Sequence, residues 1–371
     1  MRPNGNDIDR GRTRINSPRG SSNGEKLVFR SELPTGWDRL ALGTPSPFLT
    51  RAWLDAWWSA RGSGERAIAC LMAADGELLA GAAFAWSRLG MLIPTADEHS
   101  GDWDLVGVDD RAKDALMSEL ADLEAAVLVV GPVRDPAPAL SAFAKAGRRT
   151  HASPGSRSPY MRLEGSFDDL LAARSSNLRS QFRRRRRALE RRGGLRLRTT
   201  IEGAALERDL DATLRLEASG WKKRAGTAVL SRGDTTRLYL EFARAASAQG
   251  WLRVHLLELD GVPIAGDLGC VIQGEAFLVK TGFDEAFADS SPGLVLRGEV
   301  LRACIEEGVH GYDFLGGPDA YKMRWAEDVR PRTFVRGYQG MAAVPNEVWH
   351  RVLRPALATG RRRAQAFWKN R

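Results

Sequence analysis

Three ionisable side chains and one glycine turn stand out in this 371-residue chain as groups able to do chemistry. Asp267 stands mid-strand in "VPIAGDLGCVI", among Ile264, Leu268 and Cys270. Tyr312 and Asp313 open "YDFLGG", beside Phe314 and Leu315. A charge inside a sheet is costly unless it is paired or used. Asp267 is therefore either a base or the buried partner of an arginine. Asp313 is either a carboxyl of raised pKa or one half of an ion pair with Arg324 or Lys322. The turn is "SSPGLVL", residues 290–296. Pro292 suits a first helical turn, and Gly293 lets a ligand come close to the backbone. Helix-start N–H groups with no acidic side chain beside them form a phosphate site.

The elements that must position these groups are legible from periodicity. "WLRVHLLELDGVPIAGDLGCVIQGEAFLVKTGF" reads as three antiparallel strands turning at Asp260-Gly261 and Gln273-Gly274. A helix over "SPGLVLRGEVLRACIEEGV", a short strand over "GYDFLGG", a helical turn over "DAYKMRWA" and a last strand over "RPRTFVRGYQ" follow. An earlier passage has the same order. "AIACLMAADGELLAGAAFAW" reads as two strands about Asp75-Gly76, then a helix over "DDRAKDALMSELADLE" and a buried strand over "AAVLVVGPV". "LMAADGELLAG" lies over "LLELDGVPIAG" at an offset of 185, and "VVGP" over "LGGP" at 186. The chain thus reads as two copies of one α/β module. Opposite Asp267, Tyr312 and Asp313 the first copy has Ala82, Ala126 and Val127, and its helix opens with Asp109 and Asp110, which repel an anion. The second copy is the working one.

The net charge of +9 is uneven. Residues 174–198 hold eleven Arg against one Glu, residues 1–30 seven basic against three acidic, and residues 348–371 seven basic and no acidic, so the remainder is acidic. A general polyanion binder is not what this pattern describes. The arginine run lies on an expected helix, "NLRSQFRRRRRALERR", docked by Leu178, Phe182 and Leu189 and ended by Gly193-Gly194. Its arginines are either a solvated face pairing with the acidic core, a grip on an anionic acceptor or on donor phosphates, or a nucleic-acid contact. Tryptophans at helical spacing in "SPFLTRAWLDAWWSARG" read as core. Cys70, Cys270 and Cys304 stand apart, so neither a zinc site nor a disulfide framework is expected. There is no apolar span or secretory h-region, and a cytoplasmic protein is expected. The C-terminal "VWHRVLRPALATGRRRAQAFWKNR" is a basic amphipathic element that either packs on the body or touches an anionic membrane.

Strand, phosphate-cradling turn and helix, then a short strand and a Tyr-bearing helix, resemble the GNAT acyltransferase fold. The ordered set "SSNLRSQFRRRRRALER", "LEASGWK", "LDGVPIAGDLG", "TGFDEAFADSSPGLVL" and "YDFLGGPDAYKMRWA" is similar to the CelD/BioF-like acetyltransferases, tandem-GNAT relatives of the FemAB peptidyltransferases. The usual Gln/Arg-x-x-Gly-x-Gly/Ala loop is replaced by Ser-Ser-Pro-Gly. The resemblance implies an α/β fold of two GNAT-like modules with mostly antiparallel sheets. The expected organisation is a basic tail (1–30), a degenerate module (31–150), an acyltransferase module (151–345) and a basic tail (346–371). It implies N- or O-acyl transfer from acetyl-CoA or another acyl-CoA, without a metal, to an acceptor in polysaccharide or cell-envelope metabolism. Alternatives are a FemAB-like aminoacyl-tRNA-dependent transferase and a non-catalytic RNA-binding scaffold. The pyrophosphate falls to Ser290, Ser291, Gly293 and Leu294, with Lys280 on the preceding strand. Tyr321 matches the GNAT tyrosine that protonates the thiolate, and Asp267, Glu217 or Asp313 handles the acceptor. Trp221 shares a helix face with Glu217. With Lys322, Arg179 and Arg183 it is expected at the acceptor.

Overall fold

The expected hairpin turns form where short polar residues and glycines accept a left-handed backbone: Gly76 has φ 86°, Asp260 and Gly261 have 50° and 80°, and Gln273 and Gly274 have 51° and 72°. The computed structural model describes residues 24–219 and 229–357. Its strands are β1 (Lys26–Arg30), β2 (Glu65–Met72), β3 (Leu78–Trp86), β4 (Met91–Pro94), β5 (Val106–Gly107), β6 (Val127–Val133), β7 (Arg149–Arg162), β8 (Leu195–Thr200), β9 (Leu252–Leu259), β10 (Val262–Ile272), β11 (Glu275–Phe283), β12 (Gly311–Asp313) and β13 (Asp328–Tyr338). The helices are α1 (Trp37–Ala41), α2 (Arg51–Arg61), α3 (Asp110–Ala121), α4 (Ala137–Lys145), α5 (Phe167–Ala172), α6 (Ser176–Glu190), α7 (Leu206–Ala218), α8 (Gly233–Ala248), α9 (Pro292–Glu306), α10 (Ala320–Met323) and α11 (Val344–Val348).

All strands join in one 13-stranded sheet of order β1-β2-β3-β4-β6-β13-β7-β12-β11-β10-β9-β8, with β5 beside β3. Read from its two edges inward, the order is the same: hairpin strands, then a strand paired in parallel with the one after the next long helix. β4 runs parallel to β6 across α3, and β11 parallel to β12 across α9. These are the two modules of like topology expected from the repeat, fused edge to edge. The fusion exchanges strands. β7 leaves the first half and pairs with β12 of the second, and β13 returns to pair with β6 of the first. β7 and β13 then pair with each other from Arg149↔Tyr338 to Tyr160↔Asp328.

Three large apolar cores position the site. One lies under α3 and α4 in the first half. The second holds α5, α6 and α9 against β9 to β12. The third lies on the opposite face of that sheet half, where α2 of the first half meets α8 of the second. There Trp53 is fully buried, and its ring meets Phe242 at 5.1 Å, edge to face. Among the described residues no helix is long and apolar enough to cross a membrane.

Candidate active site

Side chains alternate across a strand, so Gly266 and Asp267 on β10 face opposite ways. The Asp267 face is the α9 face. Asp267 is 1% exposed, and its Oδ2 lies 2.8 Å from Nη2 of the equally buried Arg297 on α9. Arg297 also donates to the Tyr312 hydroxyl and lies over the rings of Tyr312 and Phe314, at 5.3 and 5.8 Å. Burial works against the Arg297 charge, but the Asp267 carboxylate outweighs it and holds the guanidinium protonated. Tyr321, on α10, feels both of these charges. Tyr321 is 46% exposed, and its partial burial pushes its phenol up to about 12, so it carries its proton at neutral pH.

The opposite face takes α7 and α8. Gly266 and Gly282 pair across β10 and β11, and a Cβ at Gly282 would lie 2.3 Å from the backbone of Glu217. Only glycine lets the end of α7 sit so close to the sheet. Glu217 is 2% exposed, and its Oε2 accepts a bond from the Val229 amide at 2.9 Å. Lys280 on β11 lies 4.7 Å over the ring of Tyr239 from α8. The Tyr239 hydroxyl is 2.8 Å from Nδ1 of His99, which comes from the first half. Burial, then the Lys280 ammonium, lowers the His99 pKa and favours the neutral imidazole. Asp97, Glu98 and His99 bring donor atoms within 4.8 Å of one another, but Asp97 is already 3.3 Å from Arg61.

Asp313 lies on this second face, away from Asp267. Fully buried, it accepts bonds from the Ser158 hydroxyl and, at 2.9 Å, from the Leu315 amide. Its Oδ2 is 3.9 Å from Arg330 and 3.7 Å from Arg332, while burial raises its pKa. The ammonium of Lys322 is turned inward. It donates to Leu315 O at 2.9 Å and Gly317 O at 3.3 Å and pairs with Asp319 at 3.0 Å, stapling the loop after β12.

Pairing between β11 and β12 stops at Phe277↔Asp313, yet β11 runs on to Phe283. The chain leaves β12 through Leu315 and Gly316, at φ 50° and 62°. From Val279 on, β11 is paired on its β10 side only, which leaves a gap in the strand pairing beside it. At the head of the gap, Ser291 takes the left-handed position (φ 51°, ψ 56°) that starts α9. The Ser290 hydroxyl accepts a bond from Arg192 at 3.1 Å, and Arg185 donates to Asp289 O. The Leu294 amide is taken by Ser291 O at 3.1 Å, whereas a Cβ on Gly293 would meet nothing closer than Phe283 at 3.5 Å.

The arginine helix α6 docks through Leu178, Phe182 and Leu189, all buried. Ser175 caps it by accepting from the Leu178 amide. Arg186 pairs with Glu299 and Glu190, and Arg179 caps the carbonyls of Ala172 and Arg174. Arg183, Arg184, Arg187 and Arg191 share one exposed face of the helix. Trp221 lies outside the described residues.

The equivalent gap in the first half, between β4 and β6, is filled. Trp103 is 1% exposed; its amide donates to Pro132 O at 2.8 Å and its indole to Ala83 O at 2.7 Å. The side chain of Asp109 caps α3 by accepting from Ala112 N at 2.7 Å.

His99, Tyr239 and Arg297 were not singled out from sequence. Arg297 did leave a signal, as a charge directly after the apolar run Leu294 to Leu296. His99 left none, since only the fold brings its loop to α8.

Residues 176–323 match the model of the acetyltransferase (GNAT) domain family. The stretch begins at α6 and ends at α10, and so contains both faces of the gap. No curated protein matches the chain. Among solved structures the fold is similar to that of FemX, at 12% identity and TM-score 0.56, covering 83% of this chain and 96% of that one. It is also similar to a conserved protein of unknown function from Bacteroides thetaiotaomicron VPI-5482 (12%, TM-score 0.52, 84% and 100%). A third likeness is to the C-terminal DUF2156 domain of an Agrobacterium fabrum protein (15%, TM-score 0.51, 84% and 94%).

Proposed function

We propose that the chain transfers an acyl group from acetyl-CoA or another acyl-CoA to an amine or hydroxyl acceptor, with the donor in the gap beside β11. The observation that carries this reading is the difference between the two gaps. Past Phe277, the β11 edge within the GNAT match has no strand partner, whereas the corresponding place in the first half is taken by Trp103. In this reading residues 151–345 hold the donor and residues 31–150 shape the acceptor cleft, the bounds expected from the sequence.

A thioester supplies its own activation; the protein must take a proton from the nucleophile and return one to the leaving thiolate. Tyr321, protonated at neutral pH, gives its proton to the thiolate sulfur. Asp267 is engaged by Arg297 and orients the Arg297–Tyr312 unit under the gap. Glu217 handles the acceptor from the other face, where Lys280 and His99 also stand. The pyrophosphate lies at the start of α9 beside Gly293, backed by Arg185 and Arg192.

Calorimetry with acetyl-CoA tests the donor. The wild type is expected to bind, and Gly293→Glu, which sets a carboxylate against the phosphates, to lose binding at least tenfold. Undiminished binding by Gly293→Glu would remove the phosphate site from this place.

A second reading, aminoacyl transfer from a charged tRNA, is favoured by the exposed arginine face of α6. The same calorimetry run with tRNA separates the two: tight, salt-sensitive tRNA binding with no acetyl-CoA binding selects the second.

A further inference from the structure

Lys280 and Gly282 share one face of β11, in the stretch past Phe277 that is paired with β10 alone. Gly282 seats the end of α7 there, with Glu217, and Lys280 lies over Tyr239 of α8. The first half reaches the same place through the loop after β4. The Ser100 hydroxyl of that loop accepts from the Trp53 indole of α2 at 3.3 Å. Asp97 pairs with Arg61 of α2 at 3.3 Å, and its carboxylate also accepts from the His99 amide at 2.9 Å. Arg61 is tied in turn to α8, through the Thr235 hydroxyl at 2.6 Å and Asp234 at 3.6 Å. Held by these contacts, the His99 ring stands edge-on to Tyr239, with centroids 5.6 Å apart and Nδ1 2.8 Å from the phenol oxygen.

Of the described ionisable groups on this face, His99 is the one suited to taking up a proton. Arg61 and Lys280 are cations, and burial keeps the Tyr239 phenol protonated. Asp97 is held by Arg61, and Glu217, 2% exposed, accepts from the Val229 amide. The His99 side chain is 15% exposed. Its Nε2 makes no hydrogen bond among the described residues, and a Glu98 oxygen stands 3.8 Å from it. Burial, the Lys280 ammonium and Arg61 favour the neutral ring, while Asp97 and Glu98 oppose them. A neutral imidazole has one N–H and one lone pair. With Nδ1–H directed at the Tyr239 oxygen, the lone pair falls on Nε2.

We propose that His99, supplied by the first half, is the base that takes the acceptor's proton, with Tyr239 positioning its ring by accepting from Nδ1–H. The inference rests on the acyl transfer proposed above. As the acceptor nitrogen or oxygen bonds to the thioester carbonyl carbon, its proton passes to Nε2. The carbon–sulfur bond breaks, and the thiolate takes the Tyr321 proton. The imidazolium then gives its proton to solvent, and solvent reprotonates Tyr321. Glu217 is left to orient the acceptor.

One test needs no acceptor. Diethyl pyrocarbonate acylates unprotonated imidazole nitrogens, and peptide mapping after treatment at pH 7 is expected to find His99 modified. An unmodified His99 would overturn the proposal, because Nε2 would then be closed to an acceptor. The second test follows thiol release from acetyl-CoA with ethanolamine, which carries both an amine and a hydroxyl. His99→Gln is expected to bind acetyl-CoA as the wild type does and to lower kcat about a hundredfold or more at pH 8. The ratio of wild-type to variant rates cancels the titration of ethanolamine itself. It should fall on acidification, as the imidazole takes a proton from solvent. Tyr239→Phe should lower kcat less and move that fall to lower pH, since the imidazolium loses the oxygen that accepts from Nδ1–H; a merely structural tyrosine would leave the pH dependence in place. Wild-type kcat in His99→Gln, with acetyl-CoA still bound, would overturn this inference and leave the acyl transfer standing. A wild type that binds acetyl-CoA yet releases no thiol to ethanolamine would also overturn it, since a base beside the donor serves any small amine. Failure of the wild type to bind acetyl-CoA would remove the acyl transfer, and His99's role with it.

Discussion

Asp267 and Arg297 face each other at 2.8 Å with almost no exposure on either side, so their value lies mostly in not being separated. Removing one partner from a buried pair strands the other and costs about 3–5 kcal/mol, whereas replacing both with apolar residues is often neutral. Asp267→Ala is therefore expected to lower the urea unfolding free energy by about that much. Asp267→Leu/Arg297→Met should regain most of it while losing activity. Full stability in Asp267→Ala would show that the pair is not what holds Arg297. His255, on the neighbouring strand and 5% exposed, carries a second residue-scale prediction. Burial, with Arg297 and Arg253 adding to it, pushes its imidazole down to about 3, from 6.5 when unfolded. Between those values the unfolded chain binds one more proton than the folded one. Stability is thus present above pH 6.5 and falls on acidification, by up to about 1.4 kcal/mol per pH unit. His255→Gln should flatten that part of the stability profile, which a urea midpoint series from pH 7 to pH 4 would read. At this scale the sequence was half legible. Asp267 stood out because a charge interrupts an apolar strand, but its partner sits thirty residues away on a helix, and no spacing rule joins them.

Glycines let the helices of this fold pack closely. A Cβ on Gly298 of α9 would lie 2.1 Å from the ring of Phe182, the residue that seats α6 between Phe167 and Trp325. In an exposed helix, Gly→Ala gains about 1 kcal/mol of propensity. Here overpacking, at about 1–3 kcal/mol, opposes that gain, because the buried ring has nowhere to turn. Gly298→Ala is expected to destabilise the wild type and to stabilise a Phe182→Ala background. The reversal of sign is the test, and equal effects in both backgrounds would exclude the contact. The apolar stripe of α6 was readable from its spacing, and Leu178, Phe182 and Leu189 are where periodicity places them. The glycine that receives Phe182 was not readable, since a glycine inside a helical pattern says only that something is close, not what.

At the scale of the molecule, the repeat in the sequence predicts two modules, and two are found, but not side by side as separate sheets. The reason lies in β7 and β13. Each follows one module in the chain and completes the other, and the long pairing between them fuses the halves. β7 escaped the sequence reading because "RTHASPGSRSPYMR" mixes glycine, prolines and polar residues, and its strand conformation is imposed by β13 and β12 rather than by propensity. Buried charges stitch the same seam. Arg332, fully buried on β13, lies 3.4 Å from Asp102 of the first half and 3.7 Å from Asp313 of the second, and Arg134 holds Asp102 at 2.9 Å. Chains of this length usually unfold module by module. Exchanged strands and a shared charge network give each half part of the other's core, so here one cooperative transition is expected. Trp103→Ala opens a cavity in the first half and should cost about 3–5 kcal/mol. In a single cooperative unit that loss lowers the urea midpoint read by modification of the buried Cys304 thiol, in the second half, as far as the midpoint read by circular dichroism. Unfolding in two steps, with Cys304 protection unmoved by Trp103→Ala, would mean that the strand exchange joins the modules without coupling their stability.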